Sequence, residues 1–188
     1  MIKWLVSWMR QVKYCFRRLL YLKRYGGNVH IGRLVWIHKT AIIDAKSSGG
    51  GAISIGDDTV INEFSDLISH GGSIEIGKNS YVGPFSVLYG HGGLRVGNNV
   101  KIAASCILIP SNHLFDRLDL PICQQGEESS GIIVEEDVWI GSRVTILDGV
   151  RVAKGCVIGA GAVVTRSTEA YGVYVGVPAR KLRQRGDK

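Results

Sequence analysis

His113 is the residue whose type and setting point most directly to chemistry. It lies in the segment IPSNHLFDRLDLPICQQGEESSG, a long polar stretch unlike the chain on either side. Imidazole titrates near neutral pH, so a histidine there can take a proton from a hydroxyl or an amine under physiological conditions. The other histidines are His30, His38, His70 and His91. His70 and His91 fall in the glycine-rich runs HGG and GHGG and could line a pocket. A three-histidine metal centre needs two ligands close in sequence on adjacent positions. His70, His91 and His113 are spaced by 21 and 22 residues, and no His-x4-His pair exists, so no metal is expected. Cys15, Cys106, Cys123 and Cys156 form no CxxC motif, which argues against a zinc site or a disulfide framework and for a reducing compartment.

A repeat positions these residues. Aliphatic side chains recur every six residues at Val134, Ile140, Ile146, Val152, Ile158 and Val164. The same grid runs upstream through Ile31, Ile37 and Ile43, then Ile55, Ile61 and Leu67, then Ile76, Val82 and Leu88, then Val96, Ile102 and Leu108. Four residues after the aliphatic one stands a small or β-branched residue, such as Ser65, Ser80, Ser86, Cys106, Val138 or Cys156. Glycine often follows it directly, as at Gly32, Gly56, Gly77, Gly83, Gly97, Gly141 and Gly159. A period of six suits neither a 3.6-residue helix nor a two-faced strand. It suits a short flat strand and a sharp corner, which glycine is expected to ease. Three units close a triangular coil, and stacked coils bury a continuous aliphatic ladder. The 25 glycines among 188 residues agree, at nearly twice the usual share of about 7%. The grid breaks at Ser47 to Gly51, at His70 to Gly72, at Gly90 to Gly93, and most of all between Leu108 and Val134. Long excursions from a regular scaffold tend to carry function.

From about Val29 to Arg185 this pattern resembles the hexapeptide-repeat acyltransferases, whose repeat folds as a left-handed parallel β-helix. The run Ser111-Asn112-His113, followed by Pro121-Ile122 and Gln125-Gly126, resembles the loop of the sugar O-acetyltransferase branch, and IIVEEDVWIGSRVTILDGV resembles its return to the helix. The resemblance implies that His113 is the catalytic base. The stretch IGAGAVVTRSTEAYGVYVGVPARKLR resembles the acetyl-coenzyme A end of the family. It implies backbone contacts to pantetheine at Ser142 and Ala160, and Thr165 and Arg166 near the adenine and phosphate. Arg180 and Arg183 would bind phosphate from a short helix opened by Pro178. His91, Asn112 and Trp139 are the acceptor-side candidates. Trp139 precedes an inward Ile140 and so faces outward, as a subunit contact or a cleft wall. The family's shared clefts imply a homotrimer. The region Gly83 to His91 lacks the polar residues of galactoside acetyltransferases, which puts a simple galactoside acceptor in doubt.

The formal charge of +7 invites a nucleic-acid reading, but its distribution removes it. Met1 to Tyr25 holds seven basic residues and no acid, and the other 16 basic residues balance all 16 acids. On a helical wheel Trp4, Leu5, Trp8, Val12, Cys15, Phe16, Leu19 and Leu22 share one face, opposite Lys3, Ser7, Arg10, Arg17, Arg18 and Arg24. Such a basic amphipathic helix either lies on a membrane surface through residues 1–24 or caps the first coil. The expected organisation is therefore an N-terminal helix (1–28), an all-β left-handed parallel β-helix (29–177) with an excursion loop (109–133), and a C-terminal helix and tail (178–188). The expected activity is acetyl-coenzyme A-dependent O-acetylation of a sugar hydroxyl in a cell-surface polysaccharide or lipid-linked glycan. The setting would be the cytoplasm, peripheral to the inner face of its membrane. Amino-sugar or serine acetylation and a non-catalytic assembly role are the alternatives.

Overall fold

The computed structural model describes residues 28–46 and 49–187, so the amphipathic helix expected over residues 1–24 lies outside the described residues. Six coils follow one another at 29–44, 52–68, 73–89, 94–108, 132–146 and 151–164. Each has three strands of two to four residues, and the strands of successive coils pair in parallel as three faces of a prism. Pairing is in register with the grid: Val96 stands between Ile76 and Val134, Ile102 between Val82 and Ile140, and Leu108 between Leu88 and Ile146.

Every grid aliphatic points inward, and none is more than 5% exposed. The small residues four places on are buried beside them. Where they carry a hydroxyl, it bridges to the next coil. Thr59 Oγ1 donates to Gly77 O at 2.8 Å, Ser65 Oγ to Gly83 O at 3.0 Å and Ser80 Oγ to Gly97 O at 3.1 Å. A buried hydroxyl without such a partner would cost about 1–3 kcal/mol.

Two expectations are corrected. Glycine after the inward aliphatic does not serve the corner, because the left-handed corner residue lies two places later. There stand Asp58, Phe64, Asn79, Phe85, Asn99, Ser105, Asp137 and Arg143, all with positive φ. The early glycine is needed because coils stack closely. A Cβ on Gly56 would lie 2.7 Å from the carbonyl carbon of Gly77, and one on Gly83 would lie 2.5 Å from that of Ala103. The expected C-terminal helix is likewise a strand. Gly172–Val175 pairs in parallel with Val157–Ile158, Gly176 (φ 94°) lies in the reversal that follows, and Arg180–Gln184 returns antiparallel. A strand satisfies the open edge left by Gly172–Val175, which a short helix could not.

The breaks in the grid all fall on one edge, between the third face and the first. They interlock there: Gly71 N donates to Gly50 O at 2.7 Å, Ser73 N to Gly90 O at 3.2 Å and Gly92 N to Pro110 O at 3.2 Å. From this edge the excursion leaves as an antiparallel hairpin, Asn112–His113 against Glu127–Glu128. Gln125 organises its tip, accepting from Arg117 N at 3.0 Å and donating to Arg117 O and Leu120 O at 2.7 and 2.9 Å.

Candidate active site

Two groups of residues stand out, on different edges of the prism. The excursion edge holds His113, which the hairpin register sets opposite Glu127. Glu127 Oε1 lies 3.5 Å from His113 Nδ1, long for a hydrogen bond. Both side chains are exposed, as is Asn112, which stands opposite Glu128.

On the same edge His70 and His91 stack with ring centroids 4.4 Å apart and planes 12° from parallel, and Tyr89 meets His70 edge-on. His70 Nε2 and His91 Nδ1 are buried with no hydrogen-bond partner. Burial, and secondarily the neighbouring His70, pull the His91 pKa below its ordinary value, against a smaller opposing pull from Glu127. His91 is thus neutral at physiological pH, able to donate or accept a hydrogen bond but not to supply charge. Among the described residues no group of three or more His, Cys, Asp or Glu side chains is placed to hold a metal ion.

The second group lies on the edge between the second and third faces. Ala104, Ser105, Ser142, Arg143, Ala160 and Gly161 line an open groove of about 580 Å³. Ser142 and Ala160, the two positions the resemblance singles out, thus both line it. Ser142 O already accepts from Gly161 N at 2.8 Å, so a ligand amide would use its second lone pair. Thr165 and Arg166 are exposed just beyond the last coil. Arg180 and Arg183 are exposed on the terminal strand rather than on a helix. An irregularity in the pairing sets Arg180 against Val175 and Arg183 against Val173. Cross-strand partners share a face, and residues two apart on a strand do too, so both arginines project from the same side. Trp139 is 57% exposed on the outer surface of the second face, between Lys101 and Val157.

Sequence reasoning missed Glu127, which no spacing rule ties to His113. It also passed over Phe64 and Phe85, which stack in the open with centroids 5.1 Å apart. Their signal was available, since each stands three residues after an inward aliphatic, Ile61 and Val82.

Known proteins resemble this chain. Residues 131–166 match the family model described as bacterial transferase hexapeptide (six repeats). A Mycobacterium tuberculosis protein named as a probable acetyltransferase is 30% identical over 159 residues, covering 85% of this chain and 51% of the relative. A Staphylococcus aureus 2,3,4,5-tetrahydropyridine-2,6-dicarboxylate N-acetyltransferase is 46% identical over 56 residues, 30% of this chain and 23% of the relative. The chain therefore spans about half or less of the length of these curated relatives. Among solved structures, AntD, an N-acyltransferase from Bacillus cereus crystallised with dTDP and 3-hydroxybutyryl-CoA, superposes with a TM-score of 0.75 and 28% identity over 89% of this chain and 88% of AntD. A point mutant of AntD, crystallised with dTDP-4-amino-4,6-dideoxyglucose and coenzyme A, superposes with a TM-score of 0.76 and 27% identity over 90% of each chain. The polySia-specific acetyltransferase NeuO shares the fold, with a TM-score of 0.63 and 23% identity over 84% of this chain and 71% of NeuO. With its repeat and its three-faced coil, the chain resembles the hexapeptide-repeat acyltransferases, whose repeat its residues 131–166 match.

Proposed function

We propose that this protein, wound as a left-handed β-helix, transfers the acetyl group of acetyl-coenzyme A to a hydroxyl of a sugar. The sites would lie in a homotrimer, each combining His113 of one copy with the donor groove of the next. The observation that carries this reading is the separation of the two groups. His113 and Glu127 stand on one edge of the prism, and the Ser142–Ala160 groove stands on another. A second copy brings such edges together, and cyclic symmetry repeats the junction at every interface. The excursion is suited to that contact, because it exposes Leu114, Phe115, Leu118 and Ile122, with Leu118 wholly exposed.

In this mechanism Glu127 keeps the proton of His113 on Nδ1, and Nε2 removes the acceptor hydroxyl proton as the oxygen attacks the thioester carbonyl carbon. Backbone donors near Ser142 steady the tetrahedral oxyanion. The carbon–sulfur bond then breaks, and protonated His113 returns its proton to the departing thiolate. No enzyme-bound acyl intermediate is needed. Arg180 and Arg183, held on one side of the terminal ribbon, meet the donor phosphates. The likeness to AntD, crystallised with coenzyme A and an amino sugar nucleotide, supports both the donor and a sugar acceptor. It also favours a second reading, in which the acceptor atom is a sugar amine.

The experiment is release of free coenzyme A thiol from acetyl-coenzyme A in the presence of a panel of neutral sugars, amino sugars and glycolipids, with mass spectrometry of the acceptor. Acceptor-dependent release with an acetylated sugar product is expected. No release with any acceptor, together with no thermal stabilisation by millimolar acetyl-coenzyme A, would leave the non-catalytic assembly role.

A further inference from the structure

The edge between the second and third faces carries one tip residue per coil, and the tips form a column. Phe85 N donates to Glu63 O at 3.1 Å, Ser105 N to Pro84 O at 2.9 Å, Arg143 N to Ala104 O at 2.9 Å and Gly161 N to Ser142 O at 2.8 Å. Phe64, Phe85, Ser105, Arg143 and Gly161 therefore stand on successive rungs. Phe64 and Phe85 fill two rungs with rings only 12° from parallel, yet they are 53% and 57% exposed. The next rung is Ser105, whose small side chain leaves space beside the far face of Phe85. Beyond it stands Arg143. Rungs are about 4.8 Å apart, so Phe85 and Arg143 are separated by roughly 9–10 Å along the edge. That interval admits one ring with van der Waals contacts of about 3.5–4 Å on each side. Ser105 and Arg143 also line the groove assigned to the donor, so the interval is the groove's N-terminal end.

We propose that this interval holds the pyranose ring of the acceptor, with its C–H face on Phe85 and its hydroxyls toward Ser105 and Arg143. The inference rests on the acetyl-transfer reading. In it the donor phosphates lie at Arg180 and Arg183, and pantetheine passes Ala160, so that the thioester reaches the Ser142–Arg143 rung. A group beside Phe85 is then next to the acyl carbon. The chemistry of the walls selects a sugar. Weakly positive C–H groups suit the negative face of a phenyl ring. The opposite wall offers a hydroxyl and a guanidinium, which an aliphatic chain would desolvate without replacing their hydrogen bonds. Phe64 backs Phe85 and fixes its ring plane.

Saturation-transfer NMR with methyl pyranosides (neutral, amino and acetamido) on the coenzyme A-loaded protein tests this, alongside acceptor kinetics. Phe85→Ala is expected to abolish transfer to the sugar ring protons and to raise acceptor KM by about tenfold, the scale of one aromatic contact. Acetyl-coenzyme A affinity should not change, and Phe85→Trp should retain both signals. Unchanged KM and unchanged saturation transfer in Phe85→Ala overturn the proposal. So does dissociation of the oligomer by Phe85→Ala, which would make the stacked pair a subunit contact, or the absence of saturation transfer from wild-type protein to any pyranoside. Failure of the acetyl-transfer reading would look different: wild-type protein would release no thiol, while a pyranoside signal present in wild type and absent in Phe85→Ala would still report the platform.

Discussion

Replacing His113 by alanine is expected to lower acetyl-transfer turnover by about 10²–10⁴-fold, the range for loss of a general base. Affinity for acetyl-coenzyme A should stay within about twofold, because the donor is held on another edge of the prism, so the loss appears in turnover and not in donor binding. Glu127→Gln should fall between the variant and the wild type. In the proposed mechanism it removes the charge that holds a proton on Nδ1 while leaving Nε2 in place. Titrating thiol release against acceptor and donor separately checks both. Full turnover in His113→Ala would move the base to another residue, and His91, neutral and half-buried on the same edge, would be tested next.

The second large effect concerns the scaffold. Gly83→Ala should destabilise the protein by about 3–5 kcal/mol, in the range reserved for severe steric substitutions. The added Cβ would lie 2.5 Å from Ala103 C and 2.7 Å from both Ala103 O and Ala104 N. These are backbone atoms of the next coil, whose spacing is fixed by inter-strand hydrogen bonds such as Gly83 N to Ile102 O at 2.8 Å. They cannot retreat without breaking the ladder beside the donor groove. Gly161→Ala is the control, since its Cβ would meet nothing within 4 Å and pays only for a left-handed φ of 71°. Its cost should be about 1–2 kcal/mol. Thermal unfolding of the two variants under one set of conditions separates the effects, and equal losses would contradict the close-stacking account.

Much of the scaffold was legible because a six-residue period maps sequence position onto place in the coil. Any residue's offset from the nearest inward aliphatic fixes its face or corner, whereas Ser142 and Ala160 were singled out by the resemblance. Features that depend on coil length were not legible. The second and third coils carry inserted residues on the excursion edge, so Phe64 and Phe85 stack although they are 21 residues apart, not 18. His70 and His91 are hidden in the same way. Glu127 meets His113 through a hairpin whose register depends on tertiary folding of a polar loop. The RKLRQ segment was read as helix because Pro178 can open a first helical turn. The open edge of Gly172–Val175, a tertiary feature, draws it into a sheet instead.

In the proposed assembly, His113 of one copy and the donor groove of another form a single acetyl-transfer site, and subunit complementation tests this most directly. His113→Ala removes the base and leaves the groove, whereas Ala160→Phe fills the groove and leaves the base. Each variant alone should be inactive. Coexpressed and randomly assembled, they should regain about one quarter of wild-type activity, because one ordered interface in four then pairs an intact base with an intact groove. Mixed oligomers that form but regain no activity would contradict the shared site, as would full activity in either variant alone.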